Sequence, residues 1–200
     1  PFDLDAPPVD TALRLVIAYL LGSIDAGVIV PRLMGVNIYA HGSGNPGASN
    51  VMRTIGKKAG AAVMAADAVK GVLAAFVGAW ISYPLGFWCA LAAVVGHVFP
   101  AWHRFKGGRG VATAIGAVLF LEPWFGLILV LGWGTTVALT KTASVASLGA
   151  MVLYVPGYAL FGWRGWPLVA AAATAGLVIA RHSGNIRRLI KGREQTVDTQ

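Results

Sequence analysis

The chain has 200 residues, 56% of them hydrophobic and only 12% charged, with a formal net charge of +8 and a mean hydropathy of +0.68. A soluble domain carries about 25% charged residues, so this composition excludes an ordinary soluble fold and predicts an integral membrane protein. The basic residues fall in the gaps between apolar runs, which argues against nucleic acid and for phospholipid headgroups or phosphorylated substrates as partners.

Apolar runs predict seven short spans at 11–31, 59–82, 84–100, 111–121, 123–140, 144–161 and 166–181. Several approach the roughly 20 apolar residues that a membrane helix needs. The fold expected is all-α, a single membrane-embedded domain over 1–200 with no internal repeat. Pro1 predicts a native start upstream, and no signal peptide is seen ahead of the first span. The first span holds one carboxylate, Asp25, either a polar contact lining a site or a packing oddity.

The segment from His41 to Arg53 is a polar, glycine-rich loop between two apolar runs. Glycines at 42, 44 and 47 let backbone N–H groups turn inward as an anion nest. The hydroxyls, amides and Arg53 beside them are typical phosphate ligands. The same spacing satisfies the dinucleotide fingerprint, but no strand precedes it, so that reading is rejected. In the second span Asp67 lies about 15 Å from a helix start near residue 57. Its i,i+3 spacing to Lys70 permits an internal ion pair, either supporting a site or entering the chemistry.

The third span contains Cys89, the lone cysteine, expected to be a small buried hydrophobe and no part of a disulfide framework. After it, Phe105-Lys106-Gly107-Gly108-Arg109-Gly110 precedes a helix, so backbone donors, two cations and a helix N-terminus meet there. Residues 111–139 are broken by Glu122-Pro123, which predicts a tight hairpin of two short helices. Lys141 to Ser147 brings Ser144 and Ser147 into the sixth span, as substrate ligands or as hydroxyls bonding their own backbone. Arg181-His182-Ser183-Gly184-Asn185 closes the seventh. Trp80, Trp88, Trp124, Trp163 and Trp166 sit near span ends as interface anchors.

Charge sets the orientation. With an odd count of spans, Arg32, Arg53, Lys57, Lys58, Arg104, Lys106, Arg109, Lys141, Arg181, Arg187, Arg188, Lys191 and Arg193 share one side. The other side keeps Arg164, Glu122 and the acidic Asp3, Asp5 and Asp10. The positive-inside rule then predicts the N-terminus outside and the C-terminus cytoplasmic. Four polar segments converge on that cytoplasmic side. No serine-hydrolase elbow, no histidine-aspartate acyltransferase dyad and no cluster with metal spacing is present. Neither a metal nor a cofactor is expected, and the chemistry must rest on positioning and electrostatics.

At these residues the chain resembles the bacterial acyl-phosphate:glycerol-3-phosphate acyltransferases, the PlsY family. The matching pieces are Gly22-Ser23-Ile24, the Gly42-to-Arg53 loop, Asp67 with Lys70-Gly71, Gly96-His97, Phe105 to Thr113, Ser144 with Ser147, and His182-x-x-Asn185-Ile186-x-Arg188. The resemblance implies seven helices in the bacterial inner membrane, with the active site on the cytoplasmic side. It implies transfer of a fatty acyl group from acyl phosphate to the sn-1 hydroxyl of glycerol 3-phosphate, giving lysophosphatidic acid and phosphate in phospholipid synthesis. It also implies Ser43, Arg53, Arg109, Ser147, His182 and Asn185 as the glycerol-phosphate site. Gly42, Gly44, Asn45, Gly47, Ser49 and Asn50 would form the acyl-phosphate cradle, joined by Lys106, Gly107 and Gly108. Arg109 stands where the family often has lysine, Ser49 where threonine is usual, and Asp25 where a proline is common; Pro46 stiffens the loop. Two other classes compete: a small transporter of phosphate-containing anions and a noncatalytic membrane scaffold. A transporter should hold its site near the midplane, whereas these polar residues gather at one side.

Overall fold

A computed structural model describes residues 8–197, which contain helices and no strand. Asp3 and Asp5 lie outside the described residues. In chain order the α-helices are α1 (Pro8–Gly22), α2 (Ala26–Leu33), α3 (Ala48–Thr54), α4 (Lys57–Ala79), α5 (Tyr83–Val98), α6 (Val111–Leu121), α7 (Pro123–Thr140), α8 (Ala143–Leu160), α9 (Trp166–Arg181) and α10 (Ser183–Ile190). Five segments are long and apolar enough to cross a membrane: Val9–Leu33, Lys57–Ala79, Tyr83–His103, Pro123–Thr140 and Ala143–Leu160. Val111–Leu121 and Trp166–Arg181 are shorter apolar helices. The chain is a multi-pass membrane protein.

The first apolar run is not one uninterrupted helix. It breaks at Ser23–Asp25, between α1 and α2. A break inside an apolar layer frees backbone groups that protein atoms must satisfy. Ser23 Oγ donates to Tyr19 O at 2.9 Å, and Ile24 O accepts from Lys70 Nζ at 2.8 Å. Asp25 is fully buried at the break, and the structure gives no functional reason for a carboxylate there. The run from 111 does split at Glu122-Pro123 into α6 and α7. Pro84, Pro123 and Pro167 each stand in the first turn of a helix, where the missing N–H is not needed.

α6 has no exposed residue. A Cβ on Gly71 would lie 2.0 Å from Thr113 O, and one on Gly116 would lie 2.1 Å from Ala68 O. Only glycine allows the α4 and α6 backbones to touch in this way. Gly71 falls at the end of the fourth turn of α4, whereas Gly116 falls in the second turn of α6. α6 therefore begins roughly two helical turns deeper than α4. The end of the loop feeding it, residues 107–110, is recessed into the bundle.

The two ends of the bundle differ in chemistry. One end is aromatic: Tyr83 stacks on Trp163 with centroids 5.6 Å apart, Trp163 Nε1 donates to Glu122, and Trp80, Trp124 and Trp166 are exposed. The tryptophans there suit an interfacial belt. Trp88 differs, being half-buried against the core. The opposite end carries the glycine-rich loops, α3, α10 and most of the basic residues.

Candidate functional site

The first loop owes its shape to Asn50. Oδ1 of that residue accepts from Ser43 N at 2.9 Å, and Nδ2 donates to His41 O at 3.0 Å. Gly42 sits at φ +56°, with the position of a Cβ only 2.2 Å from Asn50 Oδ1. A side chain there would be strained and would displace the amide. Asn50, expected to touch substrate, instead holds the loop closed and is buried. The end of the loop folds further than its composition suggests, into α3. Gly47 precedes α3 and supplies no capping side chain, so the orphan N–H groups of the first turn have no side-chain cap. Ser43 Oγ is enclosed and has no hydrogen-bond partner among the described residues.

The second loop also departs from the sequence reading. Gly107 N donates to Val98 O and Gly108 N to His97 O, both at 3.1 Å. Those amides were expected to face an anion; they are taken by the carbonyls left open at the end of α5. The loop offers the side chains of Lys106, exposed, and Arg109, half-buried. Tyr39 joins the two loops by donating from its hydroxyl to Lys106 O at 2.6 Å. Between them lies a cavity of about 320 Å³ lined by residues that include Ser43, Gly44, Asn45, Lys106 and Arg181. Gly44, Asn45, Gly47 and Ser49 are half-buried around the first loop.

His182 ends α9 and is 1% exposed. Its Nδ1 lies 2.7 Å from Val178 O, so Nδ1 carries the hydrogen and Nε2 is left as an acceptor. Burial lowers its pKa to about 4, and the Arg109 charge adds to this against the Val178 hydrogen bond. The imidazole is neutral at pH 7. Ser147 is less available than expected: Oγ donates to Ala143 O at 2.7 Å and accepts from Trp133 Nε1 at 3.1 Å.

One residue organises this end of the molecule and was missed by the sequence reading. Glu194 accepts from Asn185 Nδ2, from Ser144 Oγ at 3.0 Å and from Arg188 Nε at 2.7 Å. Burial alone would raise its pKa, but these hydrogen bonds and the Arg188 charge hold it below the usual carboxylate range. The available signal was an acidic residue directly following the basic run from Arg187 to Arg193. Arg181, from the fourth polar segment, lines the cavity as well; its Nη2 reaches Gly107 O at 3.3 Å.

Arg53 and Arg109 are partly buried charges left unbalanced. Neither has a carboxylate within ion-pair distance among the described residues. Among the described residues Arg53 has one long contact, Nη1 to Thr196 O at 3.4 Å, and its Nε has no partner. Burial lowers the pKa of both, that of Arg109 to about 10, with Glu194 opposing and Arg188 adding to the effect. Both remain cationic at neutral pH. Arg109 also feels the charge of Arg53, so the two loops present their cations to one region. Asp67 and Lys70 are elsewhere, buried inside the bundle and paired at 2.8 Å. Among the described residues no group of acidic, histidine and cysteine side chains has the arrangement of a metal site.

The family profile described as glycerol-3-phosphate acyltransferase matches residues 12–192. A protein of that name from Ralstonia pickettii is 39% identical over 199 residues, covering 96% of each chain. Another from Bacillus velezensis is 41% identical over 188 residues, covering 93% of this chain and 97% of the relative. The crystal structure of PlsY, an integral membrane glycerol 3-phosphate acyltransferase, in its glycerol 3-phosphate form is similar with a TM-score of 0.89 at 36% identity. It covers 93% of this chain and 94% of that one. The lysophosphatidic acid form matches with a TM-score of 0.86.

Proposed function

Because the chain belongs to the glycerol-3-phosphate acyltransferase family, we propose that it moves a fatty acyl group from acyl phosphate to the sn-1 hydroxyl of glycerol 3-phosphate. The chain is an acyltransferase that acts on glycerol 3-phosphate; the donor, the position acylated and the residue roles are this proposal's own. One observation carries it: Arg53 and Arg109, partly buried on two different loops, lack a carboxylate partner among the described residues and lie beside neutral His182. Buried cations of this kind need an anion, and a phosphate dianion suits the guanidinium fork.

In this reading Arg53 and Arg109 hold the phosphate of glycerol 3-phosphate. His182 Nε2, Asn185 and Ser147 orient its hydroxyls, and Ser43 Oγ contributes a donor. The cavity between the loops receives the donor phosphate, against Gly42, Gly44, Asn45, Gly47, Ser49 and the first turn of α3, with Lys106 beside it. The glycerol oxygen forms a bond to the acyl carbon, the bond from that carbon to the phosphate oxygen breaks, and the hydroxyl proton passes to a phosphate oxygen of the donor. Lysophosphatidic acid and inorganic phosphate leave. Acyl phosphate is a mixed anhydride, so holding two substrates together supplies much of what the reaction needs.

The same reading places all seven apolar helices across a bacterial inner membrane. The basic end is cytoplasmic, the N-terminus outside, and the acyl chain lies among membrane lipids. The excess of Lys and Arg at the loop end supports this orientation.

The test is direct. Purified protein in detergent is incubated with acyl phosphate and glycerol 3-phosphate, and lysophosphatidic acid is measured by mass spectrometry, with acyl-CoA as the donor in a parallel reaction. Product from acyl phosphate alone supports the proposed donor. Product from acyl-CoA alone overturns it, and no product from folded protein with either donor would revive the anion-transport reading.

A further inference from the structure

Lys70 is a buried ammonium inside an apolar bundle, ion-paired with Asp67 and hydrogen-bonded to two further acceptors. Nζ lies 2.8 Å from Asp67 Oδ1, 2.8 Å from Ile24 O and 2.8 Å from His97 Nδ1. An ammonium only donates, so Nδ1 of His97 must accept and the ring hydrogen sits on Nε2. Asp67 Oδ1 is 3.5 Å from the same ring nitrogen, which adds field but leaves the shorter Lys70 contact to decide the tautomer. The result is a closed unit joining the break between α1 and α2, the middle of α4 and the end of α5.

The outward edge of His97 meets the second loop. A Cβ on Gly108 would lie 2.2 Å from His97 Nε2, and one on Gly107 would lie 2.0 Å from His97 O. The Gly108 amide donates to the carbonyl of the same histidine. Gly108 is thus pressed onto both the ring and the backbone of His97, one residue before Arg109. An ion pair that only stabilised α4 would require neither the histidine nor this contact.

We propose that Asp67, Lys70 and His97 are positioning residues that seat the Phe105–Gly110 loop and so place Arg109 for the substrate phosphate. This rests on the acyltransferase reading for its kinetic consequence, though not for its structural one. Lys70 locks the rotation of the imidazole, and the imidazole fixes the height of Gly108.

The decisive variant is His97→Asn. Its side-chain oxygen can still accept from Lys70, while the ring edge under Gly108 is gone. Two readouts are taken in the same detergent. Hydrogen–deuterium exchange of the peptide spanning 105–110 should rise about tenfold, and KM for glycerol 3-phosphate should rise about tenfold or more while kcat stays within about threefold. His97→Gln, which returns an N–H near the Nε2 position, should recover part of both effects. Unchanged exchange at 105–110, or a lower thermal midpoint with an unchanged KM, makes the network merely structural and overturns the proposal. If neither His97 variant accumulates, Lys70→Arg is read in the same two assays by the same criteria. Wild-type protein without acyl transfer would remove the functional reading and leave the exchange comparison to decide the network.

Discussion

Arg188 Nε lies 2.7 Å from Glu194 Oε2, and this ion pair folds residues 191–197 back over the basic end of the bundle. The other oxygen of the carboxylate accepts from Asn185 and Ser144, so the tail holds α8 and α10 together. Val197 N donates to Lys141 O at 2.8 Å and extends the contact. Glu194→Ala would leave a guanidinium, an amide and a hydroxyl without their acceptor. A loss of about 1–3 kcal/mol is expected, reduced because Arg188 is partly exposed. The thermal midpoint should fall and turnover should drop, with Glu194→Gln intermediate; a variant as stable and active as wild type would remove this role.

Arg53→Ala and Arg109→Ala should each lower kcat/KM by about 100-fold or more, since each removes a charge-assisted contact to phosphate. The protein should stay folded, because neither guanidinium balances a carboxylate among the described residues. Arg109→Lys keeps the charge and loses the fork, so it should retain more activity than the alanine variant. Near-normal turnover of folded Arg53→Ala would take that residue out of the site.

His182 has a pKa of about 4, too low for an efficient base at pH 7. His182→Gln should therefore keep measurable activity, reduced about tenfold, because an amide oxygen can replace the Nε2 acceptor. The pH dependence of kcat/KM between pH 5.5 and 8 should have the same shape in both proteins. A wild-type inflection that disappears in the glutamine variant would instead make His182 a titrating base.

Stability should fall on the acid side. Unfolded His182 takes up a proton near its ordinary value of 6.5, whereas the folded protein keeps it neutral down to about 4. Protons therefore favour the unfolded state in that window, and the stabilisation present above pH 6.5 is lost as pH falls toward 4. Glu194, held below its ordinary value, contributes a further loss at still lower pH. Thermal melts from pH 7.5 to 4 should show this decline, and His182→Gln should flatten its upper part.

Asn50→Ala should open the first loop without touching substrate. It removes the acceptor for Ser43 N and the donor to His41 O, worth about 1–3 kcal/mol locally. KM for acyl phosphate should rise more than KM for glycerol 3-phosphate. Equal effects on both would indicate that the loop does not serve the donor.

Much of the architecture was legible because membrane helices advertise themselves locally. The apolar runs, Glu122-Pro123 as a hairpin break and the one-sided basic loops depend on residues adjacent in sequence. The glycine-rich segment was legible as a loop. Its tail was not legible as α3, since seven residues of mixed polarity carry too little periodicity to declare a helix. The break at Ser23–Asp25 was hidden for a related reason: apolar residues flank it, and only the lysine and hydroxyl that satisfy its backbone reveal it.

For the site, residue order was enough to say which groups are present: two cationic loops, a histidine with an asparagine three residues on, and an aspartate–lysine pair inside an apolar run. It could not determine where their hydrogen bonds go. Asn50 serves its own loop, Gly107 and Gly108 give their amides to α5, and Ser147 is bound to Trp133 and Ala143. Glu194 meets Ser144 across 50 residues, and Lys70 meets His97 across 27. No local pattern encodes such pairs. They arise when packing brings distant polar groups together where water does not reach, and each must find a partner within the protein.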